Sequence, residues 1–380
     1  MKVLYVTPGC FDKGGISRYS RYQITALREL YKFDDIKVLS YLGPDDESFE
    51  TPFHVNWHGS SSGIMDRIKL VFILVYYSFI FKPEVIHSAH VNYSGLVWFL
   101  SKLIRAKTIL NVYGLEIWTN LNKHAKYGLK KTDFIISDCH ATKEFILKNN
   151  LRKNPDDIDV IWDCVDTDKF FPVSTFPSEI IKKFNLPVRD KSFIISTLGR
   201  MSKDAAYKGY ERLIKVFERV SKDKPDAYLL MIGRGDLVPY LKQLAAELNI
   251  SQKVIFTGSV SDYELPILLS YGHIFSLVTE NGDGMGEGLP LTPLEAMACG
   301  LPIIVGNQDG SREAIFDGIN GYCINPSDLQ AHEFVVNEIL KDNNLLSEKS
   351  KNALGCVQKY FSYLSFKEKT SIFYKNKIKF

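Results

Sequence analysis

A chain of 380 residues, 45% hydrophobic and 24% charged, has the composition of a folded soluble protein and is too long for one typical core, so two domains are expected. Its formal net charge of +3 argues against a dedicated nucleic-acid binder. The six cysteines, Cys10, Cys139, Cys164, Cys299, Cys323 and Cys356, form no Cys-x-x-Cys pair and read as reduced thiols of a cytoplasmic protein. The first apolar run is too short for a signal peptide, and no stretch reaches the ~20 apolar residues of a spanning helix.

In chain order, residues 3–7 read as a strand ending in Thr7-Pro8-Gly9. Gly14-Gly15 then opens a helix with Ile16, Tyr19, Ile24, Leu27 and Tyr31 on one side. Strand, glycine pair, helix suits a phosphate, although a plain turn needs the same glycines. Strands over 36–42, 85–87, 108–113, 134–137 and 160–162 alternate with helices over 64–81, 93–103 and 142–148. That rhythm predicts a parallel sheet covered by helices on both faces. Residues 70–81, flanked by Arg67, Lys69 and Lys82, predict a buried core helix; a helix lying on a membrane surface is the alternative.

In such sheets ligands sit beyond the C-terminal strand ends. The polar residues there are His87 and His90, then Tyr113, Gly114 and Glu116, then Asp138. Each of these has an ordinary alternative as a structural hydrogen-bonder. His87-x-x-His90 has metal-ligand spacing but no third ligand nearby, so no metal is expected. Asp166-Thr167-Asp168 reads as a turn.

Residues 163–191 carry Pro172, Pro177 and Pro187 without sustained periodicity and mark the break. The expected division is a first domain over 1–170, a second over 171–360, and a terminal helix over 361–380 packing back on the first. After the break the rhythm restarts. A strand over 193–198 leads into Gly199-Arg200, and Lys208-Gly209 opens a helix with Tyr210, Leu213, Ile214, Phe217 and Val220 on one face. Strands over 227–232, 254–257, 273–278 and 303–305 follow, and residues 328–379 look mostly helical. Segment 367–380 holds five lysines and one glutamate; it predicts a packed helix with a basic face, or else contact with anionic lipid.

Residues 283–300 stand out. Gly284, Gly286 and Gly288 alternate before a helix-forming run, Pro290 suits its first turn, and Gly300 its end. A glycine loop feeding a helix N-terminus offers free N–H groups and partial positive charge to a phosphate. Glu287 lies in the loop. Glu295 lies inside the helix between Leu294 and Ala296, toward the apolar side. Arg200 and Lys208 are suited to grip a diphosphate, the first as a fork and the second as a point charge. The plainer alternative is a strand–loop–helix corner with surface cations.

These residues match a known pattern. The chain resembles the retaining GT-B glycosyltransferases of family four, the glycosyl transferases group 1. The resemblance rests on Glu287-x7-Glu295 in Gly-Glu-Gly-Leu-Pro-Leu-Thr-Pro-Leu-Glu-Ala-Met-Ala-Cys-Gly, with support from Gly14-Gly15-Ile-Ser-Arg-Tyr, Val165-Asp-Thr-Asp-Lys-Phe, Gly199-Arg200, Tyr207-Lys208-Gly209, Phe256-Thr-Gly258-Ser-Val260 and Asn320-Gly-Tyr322. It implies an α/β protein of two Rossmann-like doubly wound domains facing a cleft. It also implies transfer, with retained configuration, of a hexosyl or N-acetylhexosaminyl group from a UDP-, GDP- or ADP-sugar to a hydroxyl of a saccharide or lipid-linked saccharide, as in bacterial surface polysaccharide synthesis. No cofactor or metal is implied. The setting is cytoplasmic, or peripheral on an anionic inner membrane face.

By the resemblance, Glu287 faces the donor sugar and Glu295 the ribose. The backbone around Gly288, Leu289, Leu291 and Thr292 takes the diphosphate together with Arg200 and Lys208. Gly14 and Gly15 let the first domain approach that diphosphate, and Gly258 and Val260 border the base. Two departures stand out. Tyr113 replaces a histidine that many members carry near the reacting centre, with Tyr113, His90 or Glu116 as its stand-in. An insertion around Asp204–Tyr207 lengthens the interval between Arg200 and Lys208. A sugar-nucleotide 2-epimerase, a phosphorylase and a non-catalytic binding subunit are the alternatives.

Overall fold

A computed structural model describes residues 1–12, 14–44, 53–60, 63–119, 121–282 and 286–378. The chain forms two compact units, Met1–Cys164 with Tyr363–Phe380, and Val165–Ser362. The second unit opens and closes on itself: Val165 N–H donates to Phe361 O at 2.9 Å.

The first unit is built on seven parallel strands: β1 (Val3–Thr7), β2 (Ile36–Ser40), β3 (Trp57–His58), β4 (Val85–Ser88), β5 (Lys107–Val112), β6 (Phe134–Ser137) and β7 (Ile158–Val160). Their order is β3-β2-β1-β4-β5-β6-β7. Alternate side chains go to opposite faces, and both faces are covered, which is why the strands read as nearly unbroken apolar runs. Val3 and Tyr5 join a core with Tyr19, Ile24 and Leu27 of the helix Gly15–Leu30 and with Phe366 and Phe373 of the terminal helix Tyr363–Lys377. Leu4, Val6 and Ile86 face the other way, onto Leu70 and Leu74 of the helix Ile64–Ile80 and Val97 and Leu100 of the helix Val91–Ile104.

Two lysines of the terminal helix reach partners of their own unit. Lys367 pairs with Glu29 at 2.5 Å, and Lys377 Nζ donates to Asp156 O at 2.6 Å. The packed helix is thus the form that the described part of the lysine-rich segment takes.

One expectation is corrected, and one helix is new. The helix Ile64–Ile80 buries only Asp66, Leu70, Leu74 and Ser78, so the run over 70–81 is not a core helix. It has apolar residues on every side but only one side meets the sheet. The helix Lys123–Lys131, too polar to be read from periodicity, packs against Val91–Ile104. Among the described residues no helix is long and apolar enough to cross a membrane.

The second unit has six parallel strands: β8 (Phe193–Leu198), β9 (Ala227–Ile232), β10 (Val254–Gly258), β11 (Ile274–Leu277), β12 (Ile303–Gly306) and β13 (Gly321–Ile324), in the order β10-β9-β8-β11-β12-β13. Each sheet reverses its strand order at one place, between β1 and β4 in the first unit and between β8 and β11 in the second. A doubly wound sheet binds ligands at such a switch point, where the following loops diverge. Gly14, Gly15 and His90 follow β1 and β4. Arg200, Lys208 and Glu287 follow β8 and β11.

Candidate active site

In the second unit the chain runs from β11 through a loop into the helix Leu291–Ala298. Asp283 and Gly284 of the expected loop lie outside the described residues. Pro290 sits at the N-cap (φ −71°, ψ 135°), one position ahead of the expected first turn. Gly300 ends the helix at φ +87°, a left-handed conformation that suits glycine. Its N–H donates to Met297 O at 2.9 Å and that of Leu301 to Ala296 O at 3.0 Å, the paired bonds of a Schellman stop.

Glu287 is fastened at both ends of its peptide unit. Its N–H donates to Asp309 Oδ2 at 2.9 Å, and its carbonyl accepts from Gly310 N–H at 2.9 Å. Asp309 is buried and also accepts from Ser311 N–H at 3.0 Å. Burial raises the Asp309 pKa, and these N–H groups counter the rise. With its backbone held, Glu287 presents Oε1 to two donors: the Tyr207 hydroxyl at 3.0 Å and Lys208 Nζ at 3.0 Å. Burial first, and then the adjacent Glu287 carboxylate, raise the Tyr207 pKa, so its hydroxyl stays protonated and donates.

The insertion forms a short 3-10 helix, Lys203–Lys208, closed by Gly209 at φ +78°. It brings Lys208 to Glu287 in spite of the longer interval. Arg212 anchors this turn to the strand β11 end: Nη1 pairs with Glu280 at 2.7 Å, while Nη2 donates to Tyr207 O at 3.3 Å and Val278 O at 3.2 Å. Arg200 stands apart from the cluster, in an exposed pair with Asp204 at 2.8 Å.

Glu295 is only 2% exposed. In the first turn of the same helix the Thr292 hydroxyl is buried without a hydrogen-bond partner among the described residues, and so is the Tyr210 hydroxyl opening the helix Tyr210–Asp223. A buried hydroxyl without a partner costs free energy, so each is a place where a polar ligand would add a bond. Gly288 and Leu289 are buried, while Leu291 and Thr292 are partly exposed. Gly258 ends β10 at φ +68°, followed by the partly exposed Val260.

In the first unit Gly14 caps the helix Gly15–Leu30, and its N–H donates to Asp12 Oδ1 at 2.7 Å. Ser17 also donates to Asp12, a carboxylate that the sequence reading passed over. Among the described residues a Cβ on Gly15 would meet nothing within 4 Å, which leaves open backbone at the helix start. His90 caps the helix Val91–Ile104: its Nδ1 accepts from Asn92 N–H at 3.2 Å, leaving Nε2 as the protonated nitrogen. Burial pushes the His90 pKa down to about 4. His90 lines a cavity of about 580 Å³, apolar along Leu70, Leu74 and Leu96 and polar at Arg67, His90 and Asn122.

The other strand-end candidates have structural partners. The Tyr113 hydroxyl accepts from Asn111 Nδ2 at 3.1 Å, in a network where Asn111 Oδ1 accepts from His87 Nε2 at 2.8 Å and Asn111 Nδ2 also donates to Gln23 Oε1 at 2.6 Å. Tyr374 completes that network from the terminal helix, by a hydrogen bond to His87 Nδ1. Glu116 Oε1 accepts from Tyr113 N–H at 2.6 Å. Burial raises the Glu116 pKa, countered by the N–H groups of Tyr113, Glu116 and Gly114 that ring its carboxylate. Of the three stand-ins for the family histidine, His90 is the one on the wall of this cavity.

Two parallel sheets of seven and six strands, each with its polar residues at the switch point, are the GT-B architecture. Anabaena HepE, solved in complex with UDP, superposes with a TM-score of 0.76 over 97% of this chain and 98% of its own, at 17% identity. Residues 178–354, within the second unit, match the model of the family glycosyl transferases group 1. Curated relatives bear glycosyltransferase names. A GDP-mannose-dependent alpha-(1-6)-phosphatidylinositol monomannoside mannosyltransferase of Mycolicibacterium smegmatis is 29% identical over 47% of this chain. That match spans 46% of the relative, about half its length. A UDP-Gal:alpha-D-GlcNAc-diphosphoundecaprenol alpha-1,3-galactosyltransferase of Escherichia coli is 25% identical over 84% of this chain and 74% of its own.

Proposed function

We propose that the protein is a retaining glycosyltransferase that moves a hexosyl or N-acetylhexosaminyl group from a nucleoside-diphosphate sugar to a hydroxyl of a lipid-linked saccharide or saccharide. The supporting observation is the convergence of Lys208 and Tyr207 on Glu287, in the loop that feeds the helix Leu291–Ala298.

In this reading the diphosphate docks at that helix start, where N–H groups and the Thr292 hydroxyl, unpartnered among the described residues, await an acceptor of hydrogen bonds. Lys208 then exchanges the Glu287 carboxylate for a phosphate oxygen. That frees Glu287 Oε1 to accept from a hydroxyl of the donor sugar, with Tyr207 still holding the carboxylate in place. As the glycosidic bond to the diphosphate lengthens, negative charge grows on the leaving oxygen, and Lys208, Arg200 and the helix N-terminus stabilise it. These cations do the work that a divalent metal does in other transferases, so no metal is required. Glu295 is assigned to the ribose hydroxyls, and Gly258 and Val260 to the border of the base.

His90, neutral at pH 7, offers Nε2–H to the acceptor or the donor sugar rather than a positive charge. The cavity beside it, polar at one end and apolar along the rest, suits an acceptor with both a sugar and a lipid portion. Relatives that use lipid-borne acceptors carry the same tendency in their names. A role in surface polysaccharide or glycolipid assembly at the inner face of the plasma membrane follows from such an acceptor.

A thermal-shift panel of UDP-, GDP- and ADP-sugars tests the donor site. One of them raises the Tm of the wild type and fails to raise that of Lys208→Ala at the same concentration. If no nucleotide sugar raises the wild-type Tm, the proposal falls.

A further inference from the structure

The helix Ile64–Ile80 is inside out for a protein surface. The residues it buries, Asp66, Leu70, Leu74 and Ser78, are spaced four apart and include two polar ones. The outward positions are apolar: Ile64 is 72% exposed, Phe72 70% and Ile80 67%, with Ile68 and Tyr76 exposed on the turns between. Scattered exposed apolar residues are normal, but a stripe repeated on every turn marks a surface that meets something.

This stripe does not stand alone. Phe99 and Leu103 are exposed on the neighbouring helix Val91–Ile104, and Tyr127 on the helix Lys123–Lys131 packed beside it. The helices Ile64–Ile80 and Val91–Ile104 cover one face of the sheet, so these rings and chains belong to one side of the first unit.

Charge selects the partner. Residues 64–131 contain ten lysines and arginines and three acids. Each of the three acids is already engaged. Asp66 is buried, accepts from Ser60 N–H at 3.1 Å and pairs with Lys69 at 3.7 Å, Glu84 accepts from Lys2 N–H at 2.7 Å, and Glu116 accepts from Tyr113 N–H. Lysines border rings of this side: Lys102 lies 5.9 Å from the ring centre of the partly exposed Trp98, and Lys131 5.8 Å from that of the exposed Tyr127. Apolar residues that enter the acyl boundary, aromatic rings at headgroup depth and lysines reaching for phosphates are the chemistry of a monolayer-lying surface.

We infer that this face of the first unit docks on an anionic phospholipid bilayer, with the helix Ile64–Ile80 lying in the plane of the membrane. Val71 is exposed on this helix and also lines the 580 Å³ cavity, so the cavity opens along the docked face. A lipid-linked acceptor reaches it without leaving the bilayer. The inference builds on the proposed acceptor class, but its test does not require turnover.

The full chain is mixed with sucrose-loaded vesicles of phosphatidylcholine, or of equal parts phosphatidylcholine and phosphatidylglycerol, and sedimented. It pellets with the mixed vesicles and not with pure phosphatidylcholine. Lys102→Gln with Lys131→Gln lowers partitioning by roughly 25-fold, at about fivefold for each basic residue near the charged surface. Phe72→Ser with Ile80→Ser lowers it about tenfold or more, and being exposed these positions leave the fold intact.

Three results overturn the inference. One is equal sedimentation with both vesicle types. Another is loss with the lysine pair but none with the apolar pair, which means simple charge adsorption. The third is a chain that stays in the supernatant, including one that self-associates through this face. The nucleotide-sugar thermal shift is measured on the same variants. A retained shift without vesicle binding sinks only the docking, and vesicle binding without any shift in the wild type sinks only the transferase.

Discussion

Lys208 Nζ lies 3.0 Å from Glu287 Oε1, and each side chain is less than one-fifth exposed, at 17% and 18%. The pair joins the turn after β8 to the loop after β11 across the switch point of the second sheet. A cation held in reserve by a carboxylate is suited to a trade, one anion for another, and the trade is what the proposed mechanism asks of it.

Removing either partner leaves the other charge in a confined place. Lys208→Met and Glu287→Gln each lower stability by about 1–2 kcal/mol without ligand, and a double-mutant cycle returns a coupling of about 1 kcal/mol. With the donor bound, Lys208 has moved to phosphate and the coupling shrinks. Lys208→Met weakens donor binding by roughly ten- to a hundredfold, the range for a charged hydrogen bond. Denaturant titrations with and without nucleotide sugar measure both, and a coupling that does not change on donor binding contradicts the exchange.

Glu116 gives a contrasting case. Its carboxylate accepts from Tyr113 N–H and is ringed by the N–H groups of Gly114 and Glu116, which the turn at Gly114 (φ +119°) points inward. Glu116→Ala therefore lowers stability, by about 1–3 kcal/mol for buried donors left unmade. Nucleotide-sugar binding by the folded fraction stays as in the wild type. Glu116→Gln keeps an acceptor and restores most of the loss. A variant with wild-type Tm but no turnover would move Glu116 back to the chemistry.

How much of this was legible depended on the range of the interactions. The parallel sheets were, because strands buried on both faces leave apolar runs at helix-length intervals. So was the stop at Gly300, a local event of one turn. The sense of the helix Ile64–Ile80 was not. Periodicity finds its stripes, but a run apolar on all sides does not say which stripe meets the sheet. Asp309 and Arg212 were also missed. Their roles exist only because β12 and β11 bring Glu287 and Glu280 beside them, and each looked like a plain charged residue in its own segment. Lys208 was legible from its place at the opening of the helix after β8, but its pairing with Glu287 was not, because the resemblance assigns Glu287 to the sugar alone.

His332 links pH to the stability of the second unit. It is 3% exposed, and its Nε2 is 2.9 Å from the Ser276 hydroxyl of β11. Burial, aided by the Arg212 charge, pushes its pKa down to about 4. In the unfolded chain the group returns to about 6.5. Between those values the unfolded state holds a proton that the folded state lacks, so stability rises with pH across the window and is lost on acidification. From pH 7 to pH 5 the single-site loss is about 2 kcal/mol. His87 and His273, also pushed down by burial, act with the same sign, so the wild type alone does not isolate His332. The difference between the wild type and His332→Gln does. The variant starts less stable at pH 7 but loses about 2 kcal/mol less on going to pH 5, as read from urea unfolding at the two pH values. Equal slopes for the two proteins would mean that His332 is protonated in the folded state and that Ser276 accepts its bond.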